Sequence, residues 1–150
     1  MTFYSFENLN PNDVFFVTQN HIKYVFKPAE LPIDEKYRTL LVFWLERFLI
    51  NVSVNSNVET INKNKTVFFT TTDVAQLLHV SIEDAIKITK STFELFEKTG
   101  LEWKSTHFSL IQDTVLWINS NDSNKQCEVT FGEVFATLLP KMCSVWLPKD

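Results

Sequence analysis

The chain has 150 residues, of which 45% are hydrophobic and 14% aromatic, and its formal net charge is -4. That length and apolar content suit one domain with one sizeable core, and only 2 Gly and 5 Pro beside 14 Phe exclude a flexible linker or a disordered tail. The negative balance gives no long-range attraction to phosphate and argues against a nonspecific nucleic-acid coat, so any basic surface must be local.

In chain order, the N-terminal MTFYSFENLNPNDVFF lacks a basic segment followed by a long apolar run, so no signal peptide is expected. Asp13 to Thr18 (DVFFVT) and Ile22 to Phe26 (IKYVF) are rich in β-branched and aromatic residues around a short turn, which predicts a β-hairpin within an N-terminal extension, residues 1–30. Beyond Pro28 and Pro32, Asp34 is placed to cap a helix over 34–50. There Tyr37, Leu40, Leu41, Trp44, Leu45 and Phe48 recur at three- and four-residue steps. The run LLVFWLERFLI is short and interrupted by Glu46 and Arg47, which excludes a membrane span, and the cytoplasm is the expected location.

Residues 51–65 are polar and Asn-rich and read as a surface loop, with room for a short strand; the sequons at Asn51, Asn64 and Asn121 follow from that richness in Asn. Thr66 to Thr70 (TVFFT) reads as a short strand. Thr71, Thr72 or Asp73 is then placed to cap a brief helix with Val74, Leu77 and Leu78 inward. After His79-Val80-Ser81, the pattern Ser81-Ile82-Glu83-Asp84 resembles a capping box opening a second helix. Its core face is Ile82, Ala85, Ile86, Thr89, Phe93 and Phe96, and Gly100 is placed for a left-handed exit. A gap of about three residues between the two helices matches a helix-turn-helix.

Further on, Phe108 to Ile118 reads as one strand interrupted near Asp113, Asn119 to Asn124 as a turn, and Gln126 to Phe131 as the returning strand. Glu133 to Val145 has helical spacing, with Pro140 expected to kink or split it. The predicted class is α+β: a winged helix-turn-helix over 31–150 with an additional N-terminal β-hairpin, in a single globular unit.

The segments LPIDEKYRTLLVFWL, VFFTTTDVAQLLHVSIEDAIKITKSTFELFEKTG and CEVTFGEVFATLL, between Leu31 and Met142, resemble the first winged-helix domain of the Rep replication initiators of iteron plasmids. In that family the domain supplies dimer and DNA-backbone contacts, and a second winged helix reads the bases. These residues contain no second such domain, so the resemblance implies either a fragment or a stand-alone relative with a regulatory, structural or inhibitory task.

For nucleic acid, the outer residues of the second helix are Glu83, Asp84, Lys87, Lys90, Ser91 and Glu94. Its two leading carboxylates oppose a base-reading role. Lys87, Lys90, Ser91 and Lys125, the last at the wing tip, remain the candidates for contact with double-stranded DNA. His21, His79 and His107 are scattered, and no nucleophile triad, carboxylate pair or Gly-rich phosphate loop can be assembled. Cys127 and Cys143 lack zinc-site spacing and read as free thiols. A non-enzymatic protein without cofactor, metal or small-molecule substrate is therefore expected. The alternative to DNA is a protein partner: a homodimer through the wing or the terminal helix, where Trp146 and Leu147 stand ready for exposure, or a different protein bound and inhibited.

Overall fold

The computed structural model describes residues 9–18, 20–116 and 125–146, with side chains through Met142 in the last stretch. Among the described residues, five α-helices and two antiparallel sheets give an α+β architecture. The predicted turn at 119–124 and the end at Trp146 and Leu147 lie outside the described backbone or side chains.

The hairpin forms as expected. Strands β1 (Val14–Val17) and β2 (Lys23–Val25) pair antiparallel, and alternation sends Val14 and Phe16 inward. It is not free-standing, because β1 also pairs with β4 (Gly100–Trp103), Val14 opposite Trp103 and Val17 opposite Gly100. With β5 (Thr106–Ser109) this completes a four-stranded sheet in the order β2-β1-β4-β5. Stacked Phe16 and Phe26 carry the hairpin into the common core, Phe16 against Phe96 and Phe26 against Phe135.

Two residues, Lys104 and Ser105, close the β4–β5 turn at φ 48° and 64°. A two-residue loop with both φ values positive is the type I′ geometry that favours Asn-Gly, so the sequence carries no turn signal here. Exchanging Lys104–Ser105 for Asn-Gly is expected to raise stability by about 1 kcal/mol, read as a higher urea midpoint at unchanged m-value.

Helix α1 (Glu35–Asn51) buries Leu40, Leu41, Trp44, Leu45 and Phe48, as its spacing requires. Asp34 is the N-cap residue, but its side chain accepts no capping bond; its carbonyl takes the Tyr37 and Arg38 amides instead. The predicted loop at 51–65 contains a helix, α2 (Val58–Asn64), capped by Asn57 and anchored by one buried residue, Ile61.

Strand β3 (Thr66–Thr70) leads without a gap into α3 (Thr71–Leu78). Its cap is Thr70 rather than the three residues after it: Thr70 Oγ1 accepts from the Asp73 amide, and Asp73 Oδ2 accepts from the Thr70 amide. His79, at φ 56°, ends the helix in the left-handed region, and Ser81 accepts from the Asp84 amide to open α4 (Ile82–Glu97). Three residues thus separate the two helices, as expected. Gly100 is not a left-handed cap: no glycine has positive φ, α4 ends through right-handed Lys98, and Gly100 begins β4.

The expected single strand from Phe108 is two strands in different sheets. After β5 the chain turns at buried Leu110 into β6 (Ile111–Leu116), which pairs with β7 (Gln126–Phe131) across a register shift between Ile111 and Asp113. With β3 these form a second sheet in the order β3-β7-β6. Helix α5 runs unsplit from Glu133 through Pro140 to Trp146. At the centre Trp44 touches Phe69, Phe93 and Phe96, tying α1, β3 and α4 together.

Candidate functional site

The outer face of α4 carries all three sequence-predicted contacts of that helix. Burial of Ala85, Thr89, Thr92, Phe93 and Phe96 turns the opposite side, with Lys87, Lys90 and Ser91, to solvent. Glu83, Glu94 and Glu97 share that exposed side. Lys87 Nζ lies 3.9 Å from Glu83 Oε1, with both side chains more than two-thirds exposed. An i,i+4 pair of this kind is worth a few tenths of a kcal/mol, so it does not hold Lys87 away from a phosphate. Glu97, at the far end of the face, accepts from the Thr114 hydroxyl of β6 and so joins helix to ribbon.

Lys125 is set differently from the expectation of a solvent-facing wing tip. It is half-buried, its amide donates to Thr71 Oγ1 at 2.8 Å, and its carbonyl accepts from the Thr71 amide at 2.9 Å. The ribbon is thereby pinned to the first turn of α3. The structure brings Lys87, Lys90 and Ser91 onto one face and places Lys125 at the junction of ribbon and α3.

Two groups of side chains escape the sequence reading. On the face of the first sheet opposite Val14 and Phe16, buried Glu102 accepts from Lys23 through Oε1, and its Oε2 lies 3.2 Å from His107 Nε2. The hydrogen bond from Lys23, reinforced by the charges of Lys23 and His107, holds the Glu102 carboxyl below its usual value. A carboxylate so depressed adds stability above its ordinary range, near 4.5, and loses it as pH falls through the folded value. Thermal melts on acidification below that range are expected to show a steeper loss of Tm in the native chain than in Glu102→Gln. The signal missed was pairing between strands far apart in sequence: Lys23 and Glu102 meet only because β1 lies between β2 and β4.

The second group surrounds Phe68, which is 62% exposed in the middle of β3. Arg47 of α1 donates to the Phe68 carbonyl at 2.9 Å, lies 3.6 Å from Asp73 Oδ2 and stacks 4.7 Å from the Phe43 ring centroid. Cavities of about 330 and 450 Å3 border this residue, and both are lined by Arg47 and Phe68. Cys127 borders the smaller one; burial, with the Asp73 charge second, pushes its thiol up to about 12, which keeps it protonated and a poor nucleophile at neutral pH. Strict reading of TVFFT as a buried strand hides Phe68, since alternation alone puts it on the outer side.

Among the described residues, no three His, Cys, Asp or Glu side chains group to hold a metal ion, and no helix is long and apolar enough to cross a membrane. Comparison of the chain with protein-family models, with curated proteins and with solved structures finds no match in any of the three.

Proposed function

We propose that this chain is a non-enzymatic winged-helix protein of the replication-initiator type, acting in replication or its control through contacts with the DNA backbone and with protein, a second copy included. The observation that carries the reading is the succession β3, α3, a three-residue turn, α4 and, after β4 and β5 of the other sheet, the β6–β7 ribbon, with β3 closing the ribbon's sheet. Apart from the inserted β4–β5 pair, that order resembles a winged helix-turn-helix. Lys87 and Lys90 face solvent with no more than one weak ion pair between them, and Ser91 adds a hydroxyl beside them. Glu83, Asp84, Glu94 and Glu97 on the same helix repel phosphate, so any backbone contact is confined to the middle of the face, at Lys87 and Lys90.

The test is fluorescence anisotropy with a labelled duplex at low salt. The double variant Lys87→Glu/Lys90→Glu is expected to weaken binding by about tenfold or more, equally across unrelated duplex sequences. Equal affinity of native chain and variant removes α4 as the contact.

A second reading is favoured by the exposure of Phe68 beside Arg47: a protein-interaction module of phage or mobile-element origin that binds and inhibits a protein partner. An exposed aromatic ringed by polar groups is an anchor for protein. No duplex binding even at low salt selects this reading over the first.

A further inference from the structure

Strand β3 is the edge of the second sheet. Its bonds to β7 alternate, and the flanking bonds fix their phase: the Phe131 amide donates to the Lys65 carbonyl, and the Thr71 amide to the Lys125 carbonyl. Odd-numbered residues therefore bond to β7, and the peptide groups of Thr66, Phe68 and Thr70 face the open side. Arg47 occupies the Phe68 carbonyl and Asp73 the Thr70 amide. The Thr70 carbonyl belongs to the N-cap of α3 and opens that helix, which leaves both groups of Thr66 and the Phe68 amide presented outward.

The larger cavity lies along this stretch, between the C-terminal ends of α1 and α2 and β3. Its apolar wall includes Ile50, 76% exposed, and Phe68. Its charged lining is Arg47 and Lys63, with Asn51 and Asn64 beside them and no carboxylate. On a chain of net charge -4 the lining itself is cationic, with the nearest carboxylates, Asp73 and Glu59, outside it. Arg47 is already held by the Phe68 carbonyl, the Phe43 ring and Asp73 Oδ2 at 3.6 Å, so little ordering cost remains for it, and a partner carboxylate must share it with Asp73. The contact between Lys63 and Glu59, 3.5 Å apart and both about three-quarters exposed, is weak enough to yield to a competing carboxylate.

We propose that this cavity and the β3 edge bind an extended acidic segment of a partner protein. The segment's backbone pairs with Thr66 and the Phe68 amide, an aromatic or branched aliphatic side chain sits between Ile50 and Phe68, and its carboxylates meet Arg47 and Lys63. Main-chain pairing supplies the affinity and the pocket supplies the choice of side chain. Nucleic acid fits less well, because it has no strand to add to the edge and no use for Ile50. The inference rests on the protein-binding reading and is independent of DNA contact through α4.

The probe is a library of random heptapeptides displayed on phage and selected on the immobilised full chain, followed by titration of the enriched peptide in solution. Enriched sequences are expected to carry two or more Asp or Glu around one aromatic or branched aliphatic residue. Phe68→Ser and Lys63→Glu, both exposed and checked for fold by circular dichroism, are each expected to weaken the peptide by about fivefold or more. Lys87→Glu/Lys90→Glu is expected to leave it unchanged. Enriched peptides that both pocket variants bind undiminished overturn this site while sparing the protein-binding reading, and absence of any enrichment overturns both. A basic consensus, displacement of the peptide by duplex DNA, or a dimer in light scattering that Phe68→Ser dissolves also overturns it, the last in favour of a second copy as the occupant.

Discussion

Gly132→Ala is expected to destabilise the chain by about 3 kcal/mol or more, at the upper end of overpacking costs. Gly132 stands where β7 passes into α5; its carbonyl accepts from the Ala136 amide, and its amide donates to the Leu110 carbonyl. A Cβ there would lie 2.2 Å from the Ser109 carbonyl oxygen. No flexible side chain can give way, because the obstacle is backbone at the point where the chain leaves one sheet for the other. Gly100→Ala is the control: its Cβ would meet the Phe108 carbonyl oxygen at 3.3 Å, a contact relieved by a few tenths of an ångström, and should cost about 1 kcal/mol or less. Urea denaturation of the two variants side by side checks both values, and equal midpoints would remove the steric explanation.

Trp44→Ala is expected to cost about 3–5 kcal/mol and to lower Tm by roughly 10 °C or more. Its ring is fully buried and lies within 6.2 Å, between centroids, of Phe69, Phe93 and Phe96. Losing it opens a cavity where α1, β3 and α4 meet, so α4 should loosen with it. Trp44→Phe should cost less than half as much. The indole Nε1 is buried without a hydrogen-bond partner, and phenylalanine removes that unsatisfied donor while keeping most of the ring contacts. Differential scanning calorimetry distinguishes the two; a Phe variant as unstable as the Ala variant would show that the indole nitrogen is satisfied after all.

How much of this architecture the sequence discloses depends on whether each element's signal is local. The core stripe of α1, the three-residue gap before α4 and the β1–β2 hairpin are written in spacing and turn chemistry, and the structure has them where they are expected. Helix α2 escapes because seven residues with one buried side chain hold no readable period. Strand β4 escapes because Lys104–Ser105 closes its hairpin without Gly or Asn, leaving Gly100 to be misread as a helix cap. The division of the Phe108–Leu116 stretch between two sheets turns on the contact of Gly132 with Ser109 and Leu110, more than twenty positions away in sequence.

Candidate residues divide in the same way. Lys87, Lys90 and Ser91 follow from the helical period and stand on one exposed face of α4. The setting of Lys125 does not, because its bonds to Thr71 come from pairing across the sheet. Arg47, Lys63 and Phe68 gather from α1, α2 and β3, and no spacing rule joins them.

Contact with DNA backbone through a small set of lysines has one direct physical signature, the release of counterions. With Lys87 and Lys90 as the phosphate contacts, log Kd for duplex DNA should rise with log salt at a slope of about 2. Replacing Lys87 and Lys90 by glutamate should reduce that slope by about 2. A flat salt dependence, or an unchanged slope in the double variant, would contradict it.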